Sequence, residues 1–279
     1  MDPAVAVITT LDLEHTRILG STLPEIAAEK AGIIKPGRPC VSATEADSPA
    51  GKVIARIAAE RGARLLVIGR EIEIRRWAEH AGGNRFDLRI EDRRLVDVSL
   101  GARGRHQTVN AALAIAALHL LESDGRIRFD EDRIRLALAR PRLPARLELF
   151  PPRGERRHPV LLDCAHTPSS MAAFTAVSAE LFGDDRPDVL IGMLVDKLHE
   201  RCLETLRGTV RRVAVTAPPS PRALPAPELA RIVQRVVAPE RIEVVDSPLP
   251  WLDARAADPH PLAVIGSVYL DGLVRGHLV

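Results

Sequence analysis

Cysteine is scarce in this chain of 279 residues: Cys40, Cys164 and Cys202 lie far apart, with no CxxC pair. That spacing supports neither a disulfide scaffold nor a zinc ribbon, and it fits a reducing cytosol. No apolar run reaches the roughly 18 residues a membrane-spanning helix needs. The first residues, Met-Asp-Pro-Ala-Val-Ala-Val-Ile, place no basic stretch before their apolar part and do not read as a signal peptide. Net charge is nearly absent as well. With 39 basic and 37 acidic residues the formal charge is +2, so there is no electrostatic case for nucleic acid or an anionic membrane as the main partner. Lysine is rare: only Lys30, Lys35, Lys52 and Lys197 occur, and the other 35 of the 39 basic residues are arginine. Such a skew is expected of a GC-rich genome. It draws interest to the four lysines left, because a compact or deprotonatable amine is what arginine cannot replace. Hydrophobic and charged fractions of 46% and 27% sit at globular averages and exclude disorder as the main state. The expectation is a cytoplasmic globular protein, of a length that suits one large or two ordinary domains.

Short apolar, β-branched runs at 5–9, 40–42, 65–68, 160–163, 189–192, 212–216, 242–245 and 262–266 predict buried parallel strands. Helical patterns fall between them at 22–31, 49–61, 108–121, 131–139, 169–182, 198–207 and 226–237, the first opening on Thr22 with Glu25 three residues on, a capping-box spacing. Alternating strand and helix mean an α/β chain with a mostly parallel sheet. Residues 71–99 break the rhythm with alternating apolar and charged positions around Gly82-Gly83-Asn84 and Glu91-Asp92, which predicts an antiparallel meander. The prolines at 141–144 interrupt the chain, and a fresh strand–helix series follows, so a domain boundary is expected near 143. The basic, proline-bearing stretch 151–159 reads as a hairpin tip or an exposed loop, its charges solvated.

Chemistry concentrates at predicted strand ends. Thr9 to Thr16 reads Thr-Thr-Leu-Asp-Leu-Glu-His-Thr, and Glu29-Lys30-Ala31-Gly32 closes the following helix. Ligands of parallel sheets bind beyond the carboxyl ends of strands, so His15 is either a metal ligand through its neutral imidazole or a surface residue. Lys30, inside an apolar helix end, is either a salt-bridged lysine or a partly desolvated amine; a neutral amine can take up carbon dioxide as a carbamate, an anionic oxygen ligand. Further clusters are Gly104-Arg105-His106-Gln107-Thr108-Val109-Asn110 at the head of a small-residue helix, Pro144-Ala145-Arg146-Leu147-Glu148, Asp163-Cys164-Ala165-His166-Thr167-Pro168, Val195-Asp196-Lys197, and Gly266-Ser267-Val268-Tyr269-Leu270.

Together and in this order, from about 5 to 275, these motifs resemble the folylpolyglutamate synthase and dihydrofolate synthase branch of the Mur ligase superfamily. The resemblance implies an incomplete Mur-ligase central ATPase domain over 1–143, a mostly parallel sheet plus the antiparallel meander, followed by a Rossmann-like glutamate-ligase domain over 144–279. It implies an ATP-dependent reaction in which a folate or dihydropteroate carboxylate is phosphorylated and L-glutamate then displaces the phosphate. In the family the residue matching His15 binds Mg2+, and the lysine matching Lys30 is carbamylated beside it. The asparagine matching Asn110 lies at adenine, and the arginine matching Arg146 reaches the ATP phosphates from the domain junction. Asp163 and His166 match the family's DGAHNP-like turn near ribose, phosphate and incoming glutamate. Lys30, Asp163 and His166 are thus the catalytic candidates; Asn110, Arg146 and Asp163 the nucleotide-binding ones; His15 and Lys30 the metal-binding ones. Asp196 and Lys197 are either on the cleft or a structural ion pair.

This sequence departs from the family at Cys164 (for glycine), Thr167 (for asparagine) and Glu14 (for aspartate), replacements small enough to keep the geometry. Cys164 is expected to be a packing residue, since nothing near it lowers a thiol pKa. The larger departure is a glycine-rich G-x-x-G-K-[ST] loop, which occurs nowhere among the 279 residues; Gly51-Lys52 lacks the preceding glycine-rich turn. The opening Met-Asp-Pro-Ala-Val-Ala-Val-Ile-Thr resembles an internal family stretch with valine at the first place, as a GTG codon taken for an initiator would produce. The expectation is therefore a shortened chain, inactive by itself. Its rivals are a non-catalytic nucleotide- or glutamate-binding protein and one half of a split ligase whose phosphate loop lies on a second chain.

Overall fold

The computed structural model describes residues 2–12, 20–80 and 82–279, and the chain divides between Pro141 and Arg142 into two compact units.

In the first unit three short parallel strands pair in the order β1-β2-β3: β1 (Ala6–Ile8), β2 (Cys40–Ser42) and β3 (Leu65–Val67), with Ala6 opposite Cys40 and Cys40 opposite Leu65. Helices α1 (Leu23–Ala31) and α2 (Pro49–Glu60) join them. The Thr22 capping box is present: its side chain accepts from Glu25 N–H, and the Glu25 carboxylate accepts from Thr22 N–H at 3.1 Å. Alternation along the strands sends Ala6, Ile8 and Cys40 into a layer with Ala27, Ala31 and Ile54 of these helices. It sends Val41 and Leu66 to the opposite face, where they meet α3 (Arg105–Ser123) and an antiparallel sheet of β4 (Ile72–His80), β5 (Gly83–Ile90) and β6 (Arg93–Leu100). Asn84, fully buried, ties that meander to the head of α3. Its amide accepts from the Trp77 indole at 2.8 Å and donates to Ala102 O at 2.5 Å and Gly104 O at 3.2 Å. Helix α4 (Glu131–Ala139) closes the unit.

The second unit is a three-layer α/β domain. Its six strands run β11-β10-β9-β12-β8-β7, all parallel except β7 (Glu148–Phe150), which pairs antiparallel with β8 (Val160–Asp163) at the edge. The others are β9 (Asp188–Ile191), β10 (Arg212–Val215), β11 (Arg241–Val244) and β12 (Leu262–Ile265). One face carries Leu161, Val189, Ile191, Val213 and Ile265 against α5 (Pro168–Phe182), α6 (His199–Leu203) and α7 (Ala226–Val236). The other carries Val160, Leu162, Leu190 and Val264 against α8 (Pro248–Ala254) and α9 (Val268–Leu278). Near-continuous apolar strands buried on both faces are what parallel sheets require.

Sequence periodicity misses β7, α8 and α9. β7 is three half-buried residues on an edge, too short to show alternation, and α8 begins Pro-Leu-Pro, which reads as a loop. The hairpin tip near 151–159 is present, with Arg153 and Arg156 exchanging main-chain hydrogen bonds at 3.0 and 3.1 Å.

Candidate active site

The location follows from topology. β8 and β12 are neighbours, yet the helix after β8 packs on one face of the sheet and the helix after β12 on the other. Where successive connections leave on opposite faces, the strand ends part and open a crevice at their carboxyl ends. Asp163 is the last residue of β8, opposite Ile265, the last of β12. A sizeable concavity lies elsewhere: a cleft of about 500 Å³ lined by Arg153, Arg156, His158, Asp253 and His277 lies beside Val160, at the amino ends of the strands. Size does not locate the chemistry here; strand polarity does.

Asp163 is 6% exposed and organises the crevice. One carboxylate oxygen accepts from Leu147 N–H at 2.8 Å, the other from Ala165 N–H at 2.9 Å. It thereby joins two motifs that are separate in sequence, Ala-Arg-Leu and Asp-Cys-Ala-His. Ala145 and Leu147, on either side of Arg146, hold the left-handed φ values +52° and +51°, which cost of order 1–3 kcal/mol each and persist only where the surroundings enforce them. The surroundings do so three times over: Leu147 is held by Asp163, Cys164 N–H donates to Ala145 O at 3.1 Å, and Ala145 N–H donates to Glu148, itself gripped by Arg275 at 2.8–3.1 Å. Arg146 is consequently carried, exposed, on a rigid turn.

His166 follows in the same turn. Its Nδ1 lies 2.7 Å from the Cys164 carbonyl, an acceptor only, so Nδ1 carries the proton and a neutral ring has its lone pair on Nε2. Thr167 caps α5: its hydroxyl accepts from Ser170 N–H, while the Ser170 hydroxyl accepts from the N–H groups of Thr167 and His166 at 2.9 and 3.0 Å. The threonine thus supplies the cap the turn needs. Cys164 is buried, and desolvation pushes its thiol up to about 11, as befits a packing residue.

Burial dominates the electrostatics. It raises Asp163 to about 6, against the opposing pull of the Leu147 N–H, the Arg146 charge, the Ala165 N–H and His166. A residue that sequence reasoning did not single out stands beside it. Asp271, in the first turn of α9, is 0% exposed and has no hydrogen-bond partner for either carboxylate oxygen. Burial, then the charge of Asp163, push it up to about 9. Its signal was present: Asp271 interrupts an apolar Val-Tyr-Leu-Asp-Gly-Leu-Val run, but an acidic residue in a helix's first turn reads as an ordinary dipole partner.

The remaining candidates lie in the first unit. Asn110 is exposed on α3, its amide donating to Gln107 Oε1 at 3.2 Å. Lys30 is exposed in the last turn of α1; of its two readings the desolvated amine has no support, because the buried positions of that helix are Ile26, Ala27 and Ala31, and Lys30 falls outside them. His15 lies outside the described residues. Asp196 forms an ion pair at 3.6 Å with Arg222.

The open α/β architecture and its strand-end crevice place the chain in a recognisable class. Residues 1–118 match the Mur ligase middle domain, and residues 145–262 match the Mur ligase, glutamate ligase domain. The chain belongs to the Mur ligase superfamily. Within it, the chain is 29% identical to the folylpolyglutamate synthase of Lacticaseibacillus casei over 99% of its own length and 62% of that protein's. It is 27% identical to the dihydrofolate synthase/folylpolyglutamate synthase of Bacillus subtilis, over 100% and 63% respectively. Its structure superposes on that of the Mycobacterium tuberculosis folylpolyglutamate synthase complexed with ADP and AMPPCP with a TM-score of 0.85 at 27% identity, covering 99% of this chain and 64% of that one. The chain therefore spans about three fifths of the length of these relatives. Among the described residues no helix is long and apolar enough to cross a membrane.

Proposed function

We propose that the chain is part of an ATP-dependent ligase that joins L-glutamate to a folate or dihydropteroate carboxylate. In that reaction ATP phosphorylates the acceptor carboxylate, giving ADP and an acyl phosphate. The glutamate amine then attacks the carbonyl carbon, the C–N bond forms, the C–O bond to phosphate breaks and inorganic phosphate leaves. The observation that carries this reading is Asp163, whose carboxylate ties the Arg146 turn and the His166 turn together at the switch point of the sheet. Arg146, exposed on its rigid turn, would neutralise phosphate charge as it develops. His166, on the turn that Asp163 fixes, would lie toward the incoming glutamate amine and its proton. Asn110 would lie toward adenine.

ATP-dependent ligation of this kind uses Mg2+, for which His15 and a carbamylated Lys30 are the candidates. The described residues do not by themselves fit the ion: no three His, Cys, Asp or Glu side chains among them come together as a metal site, and Lys30 is exposed. The roles of Arg146, Asp163 and His166 do not depend on it.

Titration calorimetry of the 279-residue chain with ADP tests the reading. Arg146→Ala should weaken binding by about tenfold, the worth of one charge-assisted contact. An affinity indifferent to that change would overturn the role of Arg146. Binding without turnover, even when a segment carrying a glycine-rich phosphate loop is added, would favour a non-catalytic nucleotide-binding protein instead.

A further inference from the structure

Asp271 is a buried acid that the fold leaves without a partner, and buried polar groups in folded proteins are almost always paired. An ionised carboxylate in that position would be costly, and Asp163, already in the same crevice, makes it costlier, because two carboxylates sharing a dry site cannot both ionise. Which of them keeps the proton is decided by hydrogen bonds. Asp163 accepts two main-chain N–H groups, which favour its anion; Asp271 accepts none.

We propose that Asp271 is a positioning residue for Asp163: the pair holds one proton, kept on Asp271, so that Asp163 stays the anion that fixes the Arg146 and His166 turns. The proposal rests on the ligase reading only for the use made of Arg146. Loss of the proton to solvent would put two anions into the crevice, draw water in, and loosen the left-handed turn at 145–147 whose strain Asp163 holds. Few other charges are at hand to offset this. The charge of exposed Arg146 on the 145–147 turn acts on both carboxylates, His166 acts on Asp163, and Cys164 lies near them after β8. Arg275, one turn on in α9, is committed to Glu148 of β7. Asp253 of α8 is paired with His277 at the far end of α9. β12 offers no titratable side chain. Burial and the Asp163 charge both act in this sense, raising Asp271 to about 9 while Asp163 remains near 6.

The experiment follows the aspartate carboxyl carbons of the unaltered chain by NMR from about pH 4 to 10, with Asp271→Asn identifying the Asp271 resonance. Amide exchange at Leu147 and Ala165, corrected for its intrinsic base catalysis, is followed over the same range. The expected result is that the Asp271 carboxyl titrates with a midpoint well above that of Asp163, which is itself above ordinary aspartates. Protection at Leu147 and Ala165 should fall about tenfold above that midpoint, and it should stay level in Asp271→Asn, whose amide mimics the protonated acid. If that variant fails to fold, Asp163→Asn serves: removing the neighbouring charge must move the Asp271 midpoint down by about one pH unit or more. An Asp271 midpoint in the ordinary aspartate range overturns the proposal, as does protection that falls equally in Asp271→Asn. ADP binding on the same samples reports on the ligase reading separately, since the titration needs no nucleotide.

Discussion

Replacing Asp163 by asparagine sets two effects of similar size against each other, and pH separates them. An acid whose folded pKa lies above its unfolded one holds its proton more tightly folded than unfolded. It therefore lends stability that is complete below the unfolded value and is lost as pH rises through the folded one. For Asp163 that window runs from 3.8 to about 6. At about 1.4 kcal/mol per pH unit, the loss across it is about 3 kcal/mol. Asparagine has no such window. It does give up one acceptor, leaving either Leu147 or Ala165 N–H unpaired in a buried turn at about 1–3 kcal/mol. The variant should thus be the less stable protein near pH 4 and draw level with, or pass, the parent by pH 7, the difference between the two moving by about 2–2.5 kcal/mol in the variant's favour. Urea unfolding read from Trp251 fluorescence measures this, with Trp77→Phe in both proteins to remove the only other tryptophan. Parallel stability curves from pH 4 to 7, or a variant that loses ground as pH rises, would refute the account. The parent's behaviour has a functional sense: an ionised Asp163 at neutral pH is a cost to stability, and sites commonly carry such costs.

Asp188, 2% exposed, bridges Arg211 and Arg255, which are 14% and 15% exposed in their side chains. Asp188→Ala removes the carboxylate that Arg211 and Arg255 share, while Arg255 keeps Asp258 at 2.8 Å, and should cost about 2–3 kcal/mol in unfolding free energy, with ADP affinity unchanged; a loss below about 1 kcal/mol would mean the cluster is effectively solvated. Gly266 has φ +101°, and a methyl group there would sit 2.6 Å from Gly192 O, so Gly266→Ala should lose about 2 kcal/mol or more, seen as a lowered melting temperature. The chain alone should show no folate- and glutamate-dependent ADP release, because phosphoryl transfer needs backbone amides and a lysine around the terminal phosphates. Such release, abolished by His166→Ala, would disprove this. Limited proteolysis should cut within the exposed residues 142–144 and leave a stable fragment of the second unit; equal decay of both halves would count against independent folding.

Much of this protein was already legible in the chain. Short continuous apolar runs located the strands at 160–163, 189–192, 212–216 and 262–266, because a strand covered on both faces must be apolar throughout; the run at 242–245, expected to be buried, is instead the largely exposed edge strand β11, since an edge strand is covered less than a central one. The meander announced itself by alternating charge, and Thr22 with Glu25 marked the start of α1 through a local capping rule. Residue clusters at strand ends named Asp163 and His166, since a strand end and a helix cap are written within a few consecutive residues. Tertiary structure alone decided the rest. That Leu147 and Asp163 meet depends on β7 turning back along β8, a pairing of three residues with no periodic signature. That Asp271 is a buried acid beside Asp163 depends on β12 inserting between β8 and β9, which brings a helix start from the end of the chain into the crevice. For Lys30 the sequence left a salt-bridged lysine and a desolvated amine both open, and a helix's rotation about its axis, which decides the side chains that face water, leaves it exposed. Local chemistry is encoded by neighbours in sequence; the ionisation state of a carboxyl is set by neighbours in space.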